Sequence, residues 1–300
     1  MSSGKKTIIF VPGIRPKPPA GDHRDALWRC LMESVSRVRP IVAASMQQNP
    51  GSFHVVPWSF EFYRAHHDMS IDQPGLEELL TKTGPSRGDI AEATSAKRRW
   101  HRWLYGAADA LPLLGRLFAP DSLRLRLSEI GRYFRNTDGI ADRMRSMVKA
   151  ELLKAWQKEH RVMLIGHSFG SVIAYDSLWE LGYIDNIENM VDCFVTMGSP
   201  MGLRYVRDDL HGAAEVGQRR FPKNIRRWVN LAAVGEVTAH HPALKEMQAE
   251  MAAHGMLEEA QSLNEVITFF RGPDGLNVHK CYGYFYNEDT ASIIADWWSR

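Results

Sequence analysis

The chain has 300 residues, 44% of them hydrophobic and 24% charged, which suits one large α/β domain or two small ones with ample apolar material for a core. A formal net charge of +2 excludes the strongly basic or acidic balance that would by itself name a polyanionic or polycationic partner. Three cysteines at unrelated positions, Cys30, Cys193 and Cys281, argue against a disulfide framework and a zinc site.

Met1-Ser-Ser-Gly-Lys-Lys leads straight into Thr7-Ile-Ile-Phe-Val11, a buried strand closed by Pro12-Gly13. That apolar run is too short for a signal-peptide core, and no run approaches the ~20 apolar residues of a membrane span, so the expected location is cytoplasmic. The stiff Pro16-Lys-Pro-Pro19 follows. Asp22 to Val38 reads as a helix capped by Asp22, with Leu27, Leu31, Val35 and Val38 on one face and Arg39-Pro40 as its stop. Phe53 to Phe60 reads as a second strand, and Pro57 marks it as an edge strand or as its end.

From about Glu61 to Trp156 the strand–helix alternation lapses. Breaks at Pro74-Gly75, Gly84-Pro85, Pro112, Pro120 and Gly139 divide a largely helical stretch, read as an inserted cap. Within it, Lys97 to Tyr105 and Leu111 to Phe118 mix basic, aromatic and apolar residues. From Lys97 to Arg135 nine Lys/Arg face three acids. A solvated lid face explains this patch. So does a lid whose apolar underside covers an acyl pocket and touches lipid surfaces. No recognised nucleic-acid module surrounds the patch, so nucleic acid is not an expected partner.

Val162 to Ile165 is a short buried strand. Gly166-His-Ser-Phe-Gly170 follows, and then a helical run with Val172, Ile173, Leu178 and Leu181, stopped by Gly182. Strand, G-x-S-x-G turn and helix together form the context of a nucleophile elbow. The turn forces strain on Ser168 and presents its Oγ, while the Phe169 amide at the helix start faces the place where negative charge would develop. His167 should point away from Ser168, as a packing or hydrogen-bonding residue.

Met190 to Met197 and Ile225 to Val234 are further strands, ended by Gly198-Ser-Pro-Met-Gly202 and Gly235-Glu236. Pro242 to Leu263 reads as a helical insertion, Val266 to Phe270 as the last strand and Gly272-Pro-Asp-Gly275 as a turn. Thr290 to Trp298 reads as a closing helix that packs Ile293, Ile294 and Trp297.

This order resembles the α/β-hydrolase superfamily, in its lipase/esterase branch, and looks most like intracellular lipase-like hydrolases related to inositol-deacylase proteins. The resemblance rests on Val11-Pro-Gly-Ile14, Gly166-His-Ser-Phe-Gly170, Gly198-Ser-Pro-Met-Gly202, Trp228-Val-Asn230 with Glu236, and Asn277-Val-His279. Pro12 stands where those relatives carry His, and Glu236 where they carry Asp. The resemblance implies an α/β-hydrolase fold: a mostly parallel central sheet with helices on both faces. Its core would be residues 1–60 and 157–300, and residues 61–156 the inserted helical cap.

It also implies the chain order nucleophile, acid, base. Ser168 is then the nucleophile and His279, in a loop before the closing helix, the base. Glu236 is the acid, with Asp208 or Asp209 as its alternative. His240 and His241 follow Glu236 too closely to be the first choice of base. Asp274 is read as a turn former and Ser199 as structural. The Ile14 and Phe169 amides would form the oxyanion hole. The expected activity is cleavage of a small acyl ester or lipid-like substrate through an acyl-enzyme, without a metal or organic cofactor. A thioesterase or acyltransferase would use the same triad. A catalytically silent scaffold that binds a lipid or protein partner through the cap is the alternative from another class.

Overall fold

A computed structural model of the chain describes residues 4–96, 98, 121–236 and 242–300, with 121–127 given by backbone alone. Its centre is a six-stranded sheet in the order β2-β1-β3-β4-β5-β6. The strands are β1 (Lys6–Val11), β2 (Phe53–Val55), β3 (Arg161–His167), β4 (Cys193–Met197), β5 (Arg227–Ala233) and β6 (Glu259–Val266). Every neighbouring pair is parallel. A parallel sheet needs crossovers, and these place helices on both faces, so its strands read as continuous apolar runs.

Alternation along the strands divides the core in two. Ile8, Phe10, Met163, Ile165, Val195 and Met197 face one side, against helices Ala20–Val38, Cys281–Tyr286 and Glu288–Ser299. Ile9, Val11, Val162, Leu164 and Phe194 face the other, against helices Ile140–Gln157 and Phe169–Tyr183. Each fully buried aliphatic side chain is worth roughly 1.5–3 kcal/mol, so an acid at Leu164, inside this layer, would break the fold.

The register aligns the strand ends that matter. Val11 lies opposite Gly166, and His167 opposite Met197. The turns after β1, β3 and β4 therefore meet at one edge of the sheet, the carboxyl end, where open α/β sheets place their ligands.

The structure differs from the sequence reading at several points. Asp22 does not cap its helix: the helix starts at Ala20 with Pro19 at the cap position, and Asp22 sits in the first turn, where a carboxylate favours the dipole. The second strand stops at Val55, and Pro57 instead precedes a short helix, Trp58–Tyr63. The helix from Pro242 ends at Ala253, and the last strand of the sheet is Glu259–Val266 rather than Val266–Phe270. This strand is polar and largely open because it lies at the sheet edge, so it lacks the apolar run that marks its neighbours. Residues 271–276 form a small hairpin, β7 (Arg271–Gly272) and β8 (Gly275–Leu276), around the expected Pro273-Asp274 turn.

The stretch 61–156 divides in its packing. Helix Ile140–Gln157 lies on β1 and β3 and against helix Phe169–Tyr183, and helix Met69–Thr81 packs on Ala20–Val38 and the small hairpin. Helix Ile140–Gln157 thus belongs to a layer that flanks the sheet. The basic-aromatic runs Lys97 to Tyr105 and Leu111 to Phe118 lie outside the described residues, apart from Arg98. No described helix is long and apolar enough to cross a membrane.

Candidate active site

Ser168 sits between β3 and helix Phe169–Tyr183 with φ 52° and ψ −130°. A side-chain-bearing residue in that region costs on the order of 1–3 kcal/mol and persists only where its surroundings hold it. Here the Ser168 amide donates to the Met197 carbonyl at 2.8 Å, and Ser171 donates to the Ser168 carbonyl through its amide at 3.0 Å and its hydroxyl at 2.6 Å. Position 170 must be glycine, because a Cβ there would collide with the carbonyls of Val11 and Pro12 in the turn after β1.

The strained turn aims Ser168 Oγ at His279, whose Nε2 lies 2.9 Å away. On the other side of that ring, Nδ1 lies 2.6 Å from Glu236 Oε1. Glu236 is 2% exposed, just past the end of β5, and its second oxygen faces the Ala233 amide at 3.4 Å. Tyr284 Oη accepts from the Ala233 amide at 2.9 Å, and burial together with the Glu236 charge holds the phenol well above its ordinary range, so its proton stays on. The carboxylate can only accept, so His279 Nδ1 carries a proton and Nε2 is left free to accept from the serine. The arrangement is a serine hydroxyl hydrogen-bonded to an imidazole whose tautomer a buried carboxylate fixes.

The turn after β1 passes beside this line. Trp58 Nε1 donates to the Pro12 carbonyl at 2.7 Å, and Lys17 Nζ donates to the Ile14 carbonyl at 2.9 Å. The amide of Arg15, which has φ 83°, donates to Tyr63 Oη at 2.9 Å. The Ile14 and Phe169 amides have no acceptor among the described residues, the state required of donors kept for a developing oxyanion.

Other residues fall elsewhere. Asp208 pairs with Arg204 at 3.3 Å, and neither it nor Asp209 lines the cavity at Ser168. Ser199 Oγ donates to Ser171 Oγ at 2.7 Å, whose own proton goes to the Ser168 carbonyl, and accepts from the Met201 amide at 3.3 Å, which makes it a brace for the turn after β4. Asp274 is exposed in the hairpin turn. His240 and His241 lie outside the described residues. The three cysteines are free and buried, and burial pushes the Cys193 thiol up to about 12, far from thiolate chemistry.

His167 points away from Ser168, and its Nε2–H donates to the His279 carbonyl at 2.7 Å. Tyr284, Trp58 and Lys17 were not singled out from sequence. Only their positions in space, near the ends of β1 and β5, reveal them.

The site opens into a cavity of about 760 Å³. Its walls come from residues 13–18 after β1, His66 to Asp72, and the hairpin and loop that end at Tyr282. No protein-family model and no curated protein matches the chain. Among solved structures it is similar to a bifunctional GH43-CE protein from Bacteroides eggerthii, at 15% identity and a TM-score of 0.32, over 53% of this chain and 26% of that one. The chain thus spans about a quarter of that protein's length, and the likeness is too slight to support any argument.

Proposed function

We propose that the chain is a serine hydrolase of the α/β-hydrolase type that cleaves carboxylic esters through an acyl-enzyme on Ser168. The observation that carries this reading is the unbroken line Ser168 Oγ, His279, Glu236, at 2.9 and 2.6 Å, on three separate loops at one end of a parallel sheet. Three side chains that lie far apart in the chain converge there, and the serine is held in a strained turn with spare amides beside it. A silent scaffold would have no need of that strain.

In the proposed reaction His279 Nε2 takes the Ser168 proton as Oγ attacks the ester carbonyl carbon. Negative charge develops on the carbonyl oxygen and is met by the Phe169 and Ile14 amides. Losing one such donor costs about 3 kcal/mol of barrier. The imidazolium, stabilised by Glu236, gives its proton to the departing alcohol. Water then enters, loses a proton to the same histidine and attacks the acyl carbon; as the bond to Ser168 Oγ breaks, His279 returns the proton to Oγ and the acyl group leaves as a carboxylic acid. Transfer to a thiol or to another alcohol would use the same groups with a different acceptor.

His66, His67, Asp68, Ile71, Asp72 and Arg98 are the described residues of the proposed cap that line the cavity. The test is a fluorophosphonate probe together with p-nitrophenyl esters. The parent protein is expected to label and to hydrolyse, and Ser168→Ala to do neither. Folded parent protein that does not label would reject the reading.

A further inference from the structure

Lys17 lies in the stiff Pro16-Lys-Pro-Pro19 segment, and its carbonyl accepts from the His67 amide at 3.0 Å. This bond ties the segment to the opposite cavity wall and turns the side chain inward, where Nζ reaches the Ile14 carbonyl. That is one bond for a group with three donors. Burial is the largest influence on this ammonium and lowers it to about 8, with the charges of Lys280 and Arg15 acting in the same direction. Lys17, Lys280 and Arg15 all line the cavity into which Ser168 opens.

The carboxylates that line the cavity are already engaged or distant. Asp72 is gripped by Lys280 Nζ at 2.7 and 2.6 Å and has His67 Nε2 at 3.2 Å. Glu236 belongs to His279. Asp68 is exposed and accepts from the Ser70 amide at 2.9 Å, and Asp274 is exposed at the rim. Arg98 donates to the Leu276 carbonyl at 2.6 Å and stands 3.8 Å from Glu92. Among the described residues that line the cavity, two cations form no ion pair: Lys17, and Arg15, whose guanidinium also makes no hydrogen bond.

We propose that Lys17 and Arg15 form a subsite for a phosphate group on the substrate, so that the preferred ester carries a phosphate within reach of the carbonyl that Ser168 attacks. The proposal rests on the serine-hydrolase reading. Phosphate suits the site because it brings close to two negative charges and several acceptor oxygens to two uncompensated cations, one of them partly desolvated. A guanidinium on the exposed side and an ammonium on the inner side would grip the group from both ends.

The test compares kcat/KM for 1-butyrylglycerol 3-phosphate and for 1-butyrylglycerol at pH 7. The phosphate ester is expected to win at least tenfold. Lys17→Met and Arg15→Gln should each lower that ratio at least fivefold, while Lys17→Arg keeps it. The ratio is the readout because Lys17 also holds the Ile14 carbonyl, and loss of that bond would slow both esters. Long-chain acylglycerol 3-phosphate in vesicles, assayed alongside, separates a lipid source from a soluble one: faster turnover there assigns the phosphate to a lipid headgroup, and slower turnover to a soluble ester. Equal rates on the two butyryl esters, or a ratio unchanged in Lys17→Met, would overturn the subsite while fluorophosphonate labelling of Ser168 leaves the hydrolase intact. If the parent does not label, calorimetric titration of glycerol 3-phosphate into parent and Lys17→Met still decides the subsite, since binding is expected in the first and not in the second.

Discussion

The ring of His167 holds the main chain of His279: its Nε2–H donates to the His279 carbonyl at 2.7 Å, across 112 residues of sequence. A carbonyl only accepts, so the proton is on Nε2 and Nδ1 is bare, buried and without a partner among the described residues. Burial, and then the nearby His279, keep this ring well below the usual histidine range. With ring centroids 4.9 Å apart, a charged His167 would repel the imidazolium that the proposed reaction forms on His279. In the proposed reaction His167 thus positions His279 through its main chain. His167→Leu is expected to leave the His279 carbonyl unpaired, at a cost of about 1–3 kcal/mol in stability, and to lower kcat with little change in KM. His167→Gln, whose amide N–H replaces Nε2–H, should recover most of both. Steady-state kinetics with urea unfolding checks this, and a Leu variant as active as the parent would deny the role.

Glu236 and Asp208 separate cleanly in the structure. Glu236 touches His279, and Asp208 is at the surface with Arg204. Glu236→Gln keeps the volume but loses the charge that fixes the tautomer, and kcat should fall roughly 10⁴-fold. Asp208→Ala should match the parent within error. Ester hydrolysis by the two variants decides, and comparable losses in both would reopen the choice of acid.

The legibility of this site follows from range. The elbow is written in a handful of neighbouring residues around Ser168, each required by the turn, and so it could be read directly. Glu236 and His279 follow from the chain order that the family resemblance implies and from the ends of apolar runs, because β5 is buried on both faces and announces where it stops. β6 was missed for the converse reason: at the sheet edge it needs no apolar face. Val266 to Phe270 looked like a strand because those residues are apolar to pack beneath the His279 loop, where Thr268 Oγ1 donates to the Val278 carbonyl at 2.6 Å. Lys17 was illegible for a different reason. A lysine among prolines reads as a surface turn, and what encloses it, the His66 to Asp72 wall, comes from a distant part of the chain. The His167–His279 bond likewise has no local signature.

Gly198 follows β4 with φ +58°, directly against the acid–base pair. A methyl built there would fall 2.7 Å from Glu236 Oε1 and 2.9 Å from the His279 ring, closer than carbon tolerates. Its main chain is fixed by the bond from its amide to the Leu231 carbonyl at 2.9 Å, so the glycine cannot yield, and the side chains must. Gly198→Ala is therefore expected to push Glu236 and His279 apart. Because a misplacement of about 1 Å at a reacting group costs on the order of 10²-fold, activity should fall by that amount while circular dichroism stays native. Retention of full activity would mean that the pair can shift without loss.

Two fully buried histidines make stability depend on pH in a defined direction. His23, enclosed by Phe10, Tyr282 and Cys281, and His167 are both held well below the ordinary histidine range, chiefly by burial. As pH falls below about 6.5 the unfolded chain takes up a proton at each position, whereas the native protein does not. Stability therefore declines with acidification, by up to about 1.4 kcal/mol per pH unit for each group, and is unaffected by them above that range. Asp176 acts in the opposite sense, since burial raises its carboxyl and lets the native state take up a proton early. The histidine contribution is isolated by difference. Urea unfolding at pH 6.5, 6.0 and 5.5 should show a steep loss in the parent, and His23→Phe and His167→Gln should each reduce that slope by roughly one group's share. The same slope in all three proteins would mean that neither ring is neutral and buried in solution, and with that result His167 could not hold the base as described.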